Sequence, residues 1–485
     1  MADLIFTDTT DDSYVGSLTA IDYKFRVHFR RPLAYSGDFG FDWLQDEFLT
    51  CTTLDRLKKE YKPCKILNQE YLVPWMSIKK HYQVRVNLTI EELDGVPSDI
   101  DIIKLKPQKG ISFEPAQLRV VDIIGKTVKH FPTGDETGIE IKIECTDYIK
   151  KDTQVEVYDR NDKVIGKLSL LKNDKEYKLP IRVVLLVRKG HETTDEQAIT
   201  THLTTHADSD FKGATDLPDC MHKLENQMNY YAYNQAFVKC EMERGSSGDI
   251  VLHKTTIDES VWGNEGKIDA TTGEMVNSNE LLYDLLDLYR KQVERGQSGT
   301  GFFKGVVLII TNFEGGGFTG KGNLYVIDDR NCILFKVDTR VRTNSADGSF
   351  YTKVPSGNMK MDVYIHEIGH ILSLTHPFHK FDRNELLKDG EQLKQINAYL
   401  SNSAIPKVER DTYWLNNKNG IKRMNRSCYL YARNKYTFKG NGTEEHPEEG
   451  STRCMYMDYT DDRKVFTQWQ WRIIQESVQR YFSSK

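Results

Sequence analysis

His366-Glu367-Ile368-Gly369-His370 is the stretch of this sequence whose residue types and spacing could do chemistry. On a helix, positions i and i+4 share a face, so both imidazoles can reach one ion. Glu367, one position after the first, can reach a metal-bound water. His376 follows His370 by six residues. Three imidazoles suit zinc and leave a fourth coordination position for water. Downstream, Cys454-Met455-Tyr456-Met457-Asp458-Tyr459 offers a methionine for a tight turn beneath the metal and a tyrosine two residues after it. The competing reading of the five-residue motif alone is a surface helix with two exposed histidines. The third histidine and the later methionine together favour a metal site.

These side chains need a scaffold. Met361, Ile365, Ile368 and Leu372 recur at i, i+4, i+7 and i+11, an apolar stripe roughly opposite the histidines. The stripe predicts a helix that packs on a sheet. Ahead of it, 181–187 and 306–310 are short continuous apolar runs of the buried-strand kind, and 236–242, 324–327 and 333–337 also predict strands. Helices are predicted over 217–231 and, with strong amphipathicity, over 281–293. Alternating strands and helices over 178–340 predict an α/β sheet. Residues 83–177 carry alternating runs at 83–90, 139–143 and 154–158 separated by turn signals, which predicts an immunoglobulin-like β-sandwich, although no Cys…Trp…Cys pattern is present. Residues 1–82 predict a separate β-rich docking region: 23–29 alternates as a strand does, and 41–49 and 53–61 are candidate short helices.

Composition narrows the function classes. At 485 residues the chain has room for two to four domains, and 39% hydrophobic with 28% charged residues supports more than one folded core. Sixty-six Lys and Arg against 71 Asp and Glu give a net charge of -5, so no basic face is implied and a nucleic-acid partner is not expected. No apolar run approaches the ~18 residues of a membrane-spanning helix. The opening MADLIFTDTTDDSYVG has neither a basic n-region nor an apolar h-region, so a secretory signal is not expected there. The eight cysteines include no C-x-x-C pair, which argues against a thiolate zinc ribbon and leaves the compartment open.

On HEIGHILSLTHPF, on YMDYTDD and on FTQWQ at 466–470, the chain resembles metzincin zinc peptidases and is most similar to the pappalysin-like enzymes among them. The resemblance spans roughly 178–485. It implies a multidomain architecture in which N-terminal all-β modules precede an α+β catalytic domain. That domain would have a twisted mixed sheet, an active-site helix, a methionine turn and a C-terminal helix. It implies Zn2+ held by His366, His370 and His376, with Glu367 as general base and then acid. Tyr459 would bind zinc or donate to the developing oxyanion, and Met457 would be structural. The implied activity is peptide-bond hydrolysis on a protein or peptide substrate. Two departures stand out. Ser373 occupies the position where the family usually has the glycine that turns the chain sharply, a turn serine can take at a steric cost if φ is positive. About eighty residues separate His376 from Met457, so an insertion is expected at about 377–450. Related enzymes often staple this region, which makes Cys428–Cys454 a candidate bridge.

Other signals carry less. Gly315 to Gly322 nearly matches a phosphate-binding loop, but Gly322 stands where the magnesium-binding hydroxyl belongs; a glycine-rich lead into an edge strand at the cleft is the simpler reading. His379 reads as a loop residue, since three ligands are already supplied. The segments 39–44 (FGFDWL) and 71–75 (YLVPW) faintly resemble N-terminal regions of type VI secretion-associated proteins of Bacteroidetes, which implies an exported effector or toxin with secretion-apparatus partners. The alternative function is a binding or structural β-module protein with a vestigial zinc site. Retention of Glu367 favours the enzyme, because a degenerate site usually loses its base.

Overall fold

The computed structural model describes residues 23–32, 34–44, 58–126, 138–276, 278, 280–295, 302–315, 320–322, 331–336, 358–374, 395, 398–410, 413, 439–440, 444–445, 456–457 and 464–482. The chain is a mixed α/β, sheet-rich protein. Its first part consists of β1 (Lys24–Arg30), β2 (Gly40–Asp42), β3 (Cys64–Ile66), β4 (Gln69–Tyr71), β5 (Trp75–Ser77), β6 (Gln83–Asp94), β7 (Ile102–Lys104), β8 (Ile111–Glu114), β9 (Gln117–Arg119), β10 (Ile139–Cys145), β11 (Thr153–Tyr158) and β12 (Val164–Leu170). One sheet has the order β1-β6-β10-β8 and a second β2-β5-β12-β11-β7-β9. Alternating inward residues such as Val27, Phe29, Val84, Val86, Leu88, Ile141, Val155 and Leu168 fill one core between them.

Strands from both sides of residue 82 share both sheets: β1 pairs with β6, and β2 pairs with β5, which in turn pairs with β12. A boundary at 82 therefore runs through the sandwich and not between modules. Phe41 sits in strand β2, where a helix over 41–49 was expected; residues 45–50 lie outside the described residues. The aromatic segments 39–44 and 71–75 are largely interior: Phe39, Phe41 and Trp43 belong to the sandwich core, and Tyr71, Val73 and Trp75 are buried too. Those side chains offer no docking surface.

The second part has β13 (Tyr177–Arg188), α1 (Glu192–Thr205), α2 (Leu217–Gln227), β14 (Val238–Met242), β15 (Leu252–Ile257), α3 (Glu259–Asn264), α4 (Leu281–Gln292), β16 (Val306–Glu314), β17 (Gly320–Gly322), β18 (Asn331–Lys336), α5 (Met361–Ile371) and α6 (Gln468–Ser477). The long β13 takes β14 along its first half and β15 along its second, both parallel, and the sheet continues β16, β18, β17. Among the described strands of this sheet only β17, at the far edge, is antiparallel. The apolar runs are continuous because both faces are covered. Val183, Leu185, Leu308, Ile310 and Leu334 point into the core shared with α1, α2, α5 and α6. Val184, Leu186, Ile309, Ile333 and Phe335 pack against Leu282, Leu285, Leu286 and Tyr289 of α4. Each such fully buried side chain is worth roughly 1.5–3 kcal/mol.

Helix α1, β15 and α3 are additions to the elements read from sequence. Helix α1 is rich in threonine, and its buried residues are only Asp195, Ile199 and Leu203, so it shows little periodicity. The expected strand 324–327 and most of 377–450 lie outside the described residues, as do Cys428 and Cys454. Among the described residues, no helix is long and apolar enough to cross a membrane.

Candidate metal centre

Helix α5 carries His366, Glu367 and His370 beneath the sheet edge. Its stripe of Met361, Ile365, Ile368 and Leu372 enters the main core as the spacing requires. The histidines are not on an open surface, however: His366 is 2% exposed, Glu367 6% and His370 5%. The two imidazoles lie edge to face with ring centroids 4.6 Å apart.

Each imidazole is fixed by a backbone carbonyl. Nδ1 of His366 is 2.8 Å from the oxygen of Tyr456, and Nδ1 of His370 is 2.9 Å from the oxygen of Leu374. A carbonyl only accepts, so Nδ1 must carry the proton in both rings. In the neutral ring the lone pair is then on Nε2, the tautomer a metal ligand with a hydrogen-bonded outer nitrogen adopts.

The Leu374 carbonyl is placed by the end of α5. Ser373 takes a left-handed conformation, φ +70°. Its N–H donates to the His370 oxygen at 2.9 Å, and the Leu374 N–H donates to the Gly369 oxygen at 3.0 Å. This is the paired closure of a Schellman motif, with serine at the position that glycine usually holds. The turn thus forms despite the departure, and it presents the carbonyl that orients His370.

Beneath the helix, Met457 is fully buried, and a Cβ added at Gly369 would lie 2.6 Å from its sulfur. Gly369 is the gap through which that sulfur reaches the helix. Tyr456 is held by its N–H on the Val465 oxygen (2.9 Å) and its hydroxyl on the Tyr231 oxygen (2.9 Å). On the other side, β17 lies flush against the helix. A Cβ at Gly320 would meet the Glu367 Cγ at 2.8 Å and Oε1 at 2.9 Å, and one at Gly322 would meet the Glu367 carbonyl oxygen at 2.5 Å. The glycines of the near phosphate-loop match are therefore the space in which the Glu367 carboxylate sits. Cys332, on β18, is fully buried, and its thiol pKa is held well above the usual value by burial and by the charge of Glu367.

Among the described residues no group of three His, Cys, Asp or Glu side chains could hold a metal. The structure brings together His366, Glu367 and His370, with Met457 below them. His376 and Tyr459 lie outside the described residues. The described donors fit two positions of a three-histidine site in tautomer and in placement on one helix face. Local spacing gave no signal for the two carbonyls, for Gly369 as the sulfur's seat, or for β17 as the lid on Glu367. No protein-family model matches the chain, and no curated protein is detectably similar to it in sequence.

Proposed function

We propose that this chain is a zinc-dependent metalloendopeptidase of metzincin type. The single observation that carries the reading is that both motif imidazoles donate through Nδ1 to backbone carbonyls, over a buried methionine that packs against the same helix. A surface helix with incidental histidines has no reason to fix both tautomers. The mixed sheet with its one antiparallel edge strand lying over the helix also supports the reading.

His366 and His370, with His376 as the proposed third ligand, would hold zinc through Nε2. Zinc bound there would acidify a water and polarise a substrate carbonyl. The Glu367 carboxylate would take the proton from the attacking water and deliver it to the leaving amine. Its confinement by Gly320 and Gly322 limits its rotamers, so less conformational entropy is lost in reaching the reactive position. Tyr459 is proposed to stabilise the developing oxyanion.

The test is a metal and cleavage assay on the same purified protein. Replete wild type should carry one zinc per chain and cut casein, and a chelator should abolish cutting. Glu367→Gln should keep the zinc and lose cleavage by roughly 10²–10⁴-fold. Replete protein without bound transition metal, or zinc-loaded protein inert against a broad peptide panel, would return the chain to the alternative of a β-module binding protein.

A further inference from the structure

We propose that Gln235 is a positioning residue for the metal centre and that, through it, the β-sandwich sets the orientation of the His366 imidazole. The proposal rests on the zinc reading above.

Gln235 sits in a short 3-10 turn, Tyr233–Ala236, closed by Phe237 at φ +54°. Its side chain is fully buried and lies where three chain segments meet. Nε2 is within hydrogen-bond distance of the carbonyl oxygens of Lys464 (2.7 Å), Tyr231 (3.2 Å) and Gly37 (3.2 Å). Oε1 accepts from the Phe466 N–H at 3.0 Å. Both ends of the amide therefore grip 464–466, the segment whose Val465 oxygen receives the Tyr456 N–H. Tyr456 in turn offers its own carbonyl to His366. The path from Gln235 to the ligand thus runs through 464–466 and one further residue, along backbone hydrogen bonds between buried groups.

Two contacts reinforce this path. Tyr456 anchors its hydroxyl on the Tyr231 oxygen, one of the carbonyls that Gln235 also reaches. Tyr233 stacks on Phe466 (5.4 Å), which lies against Tyr456 (4.8 Å), and its hydroxyl donates to the Ile365 oxygen at 2.7 Å, one residue before His366. A single turn therefore braces both the ligand helix and the methionine segment.

The sandwich enters at the same point. Ser77 Oγ, at the end of β5, donates to the Gln235 carbonyl at 2.6 Å, and Gly37 supplies one acceptor of the side-chain amide. Gly37 has φ +91°, and a Cβ there would collide with the Tyr231 carbonyl and come 2.8 Å from the Lys464 oxygen. The chain is stripped to glycine where sandwich, turn and methionine segment converge. A junction that only glued two domains would not need to be built on the carbonyl relay that fixes a ligand's tautomer. Outer partners of metal-bound histidines typically change affinity ~10–100-fold when lost.

The test compares Gln235→Leu, Ser77→Ala and Leu88→Ala, the last removing a buried sandwich-core side chain remote from the relay. Zinc affinity is read by competition with a chromogenic chelator, the ligand field from the visible spectrum of cobalt-substituted protein, and folding from the melting temperature. Gln235→Leu is expected to weaken zinc ~10–100-fold and to alter the cobalt spectrum. Ser77→Ala should do the same to a smaller degree, and Leu88→Ala should melt earlier with wild-type affinity and spectrum. Wild-type zinc affinity and cobalt spectrum in Gln235→Leu overturn the proposal while the zinc reading stands. If Gln235→Leu does not fold, Ser77→Ala decides, and unchanged affinity there overturns it equally. If affinity tracks melting temperature across all three variants, the junction is merely structural and the proposal fails. A wild type that binds neither zinc nor cobalt removes the zinc reading, and the proposal with it.

Discussion

His366 donates through Nδ1 to the backbone oxygen of Tyr456, 2.8 Å away and ninety residues later in the chain. The neighbour of that tyrosine, Met457, is the residue whose sulfur fills the space above Gly369. One two-residue turn therefore fixes the tautomer of His366 and also packs the helix that carries it. The arrangement explains why a glycine is needed inside a helix, where it ordinarily costs about 1 kcal/mol against alanine.

Gly369→Ala should reverse that helix-propensity gain. The added methyl would meet the Met457 sulfur at 2.6 Å, so helix and turn must part. Overpacking of this kind costs typically ~1–3 kcal/mol. Chemical denaturation of the single variants and of Gly369→Ala/Met457→Ala should show strong non-additivity, the second change relieving the first. Additive losses would mean that the two residues do not share this contact.

Gly320→Ala tests the lid over Glu367. Its methyl would lie 2.8 Å from Cγ and 2.9 Å from Oε1, so the carboxylate must leave its place or the edge strand must lift. Cleavage should fall in kcat by roughly ten- to a hundredfold, the scale of a misplaced catalytic group. Zinc content should stay at wild-type level. Unchanged kcat would show that the carboxylate works from elsewhere.

At Ser373 the prediction is a gain. A non-glycine residue at φ +70° pays on the order of 1 kcal/mol that glycine does not. Ser373→Gly should raise unfolding free energy by up to about that amount, offset in part by the extra freedom of the unfolded chain. Ser373→Val should lower stability and loosen His370, seen as weaker zinc retention against a chelator. A valine variant as stable as the glycine one would contradict the left-handed turn.

Asp42 gives a pH signature at the domain junction. Its carboxylate accepts from the Gln468 N–H at the start of α6 (2.9 Å) and from the Tyr61 hydroxyl (2.8 Å). Burial raises its pKa from 3.8 to about 6, outweighing those bonds and the nearby Arg31 charge. The folded state thus binds this proton more tightly than the unfolded one. Its stabilisation is present at about pH 4 and lost as pH rises through about 6. Melting curves of wild type and Asp42→Asn between pH 4 and 7 should diverge, the wild type losing stability relative to the variant as pH increases. Parallel profiles would show that Asp42 titrates normally.

Helical periodicity and motif spacing are local, which is why the chain alone placed α5, its apolar stripe, the i,i+4 histidines, the runs that became β13 and β16, and the later methionine. Helix α1 escaped because its threonine-rich face buries so little, and the split at residue 82 failed because strand pairing between β1 and β6 is a long-range choice that no window of sequence records. The same limit applies at the candidate metal centre. Spacing could name His366 and His370 but not the Tyr456 and Leu374 carbonyls that set their tautomers. The family resemblance marked Ser373 as a departure at the turn without showing that the turn closes. Spacing could not show that Gly320 and Gly322 make room for Glu367, or that Gly37, Ser77 and Gln235 converge on the methionine segment. Backbone carbonyls carry no residue-type signature, and close approach between segments hundreds of positions apart is decided by how whole layers pack. Those relationships therefore come into being only when the sheets and helices are assembled.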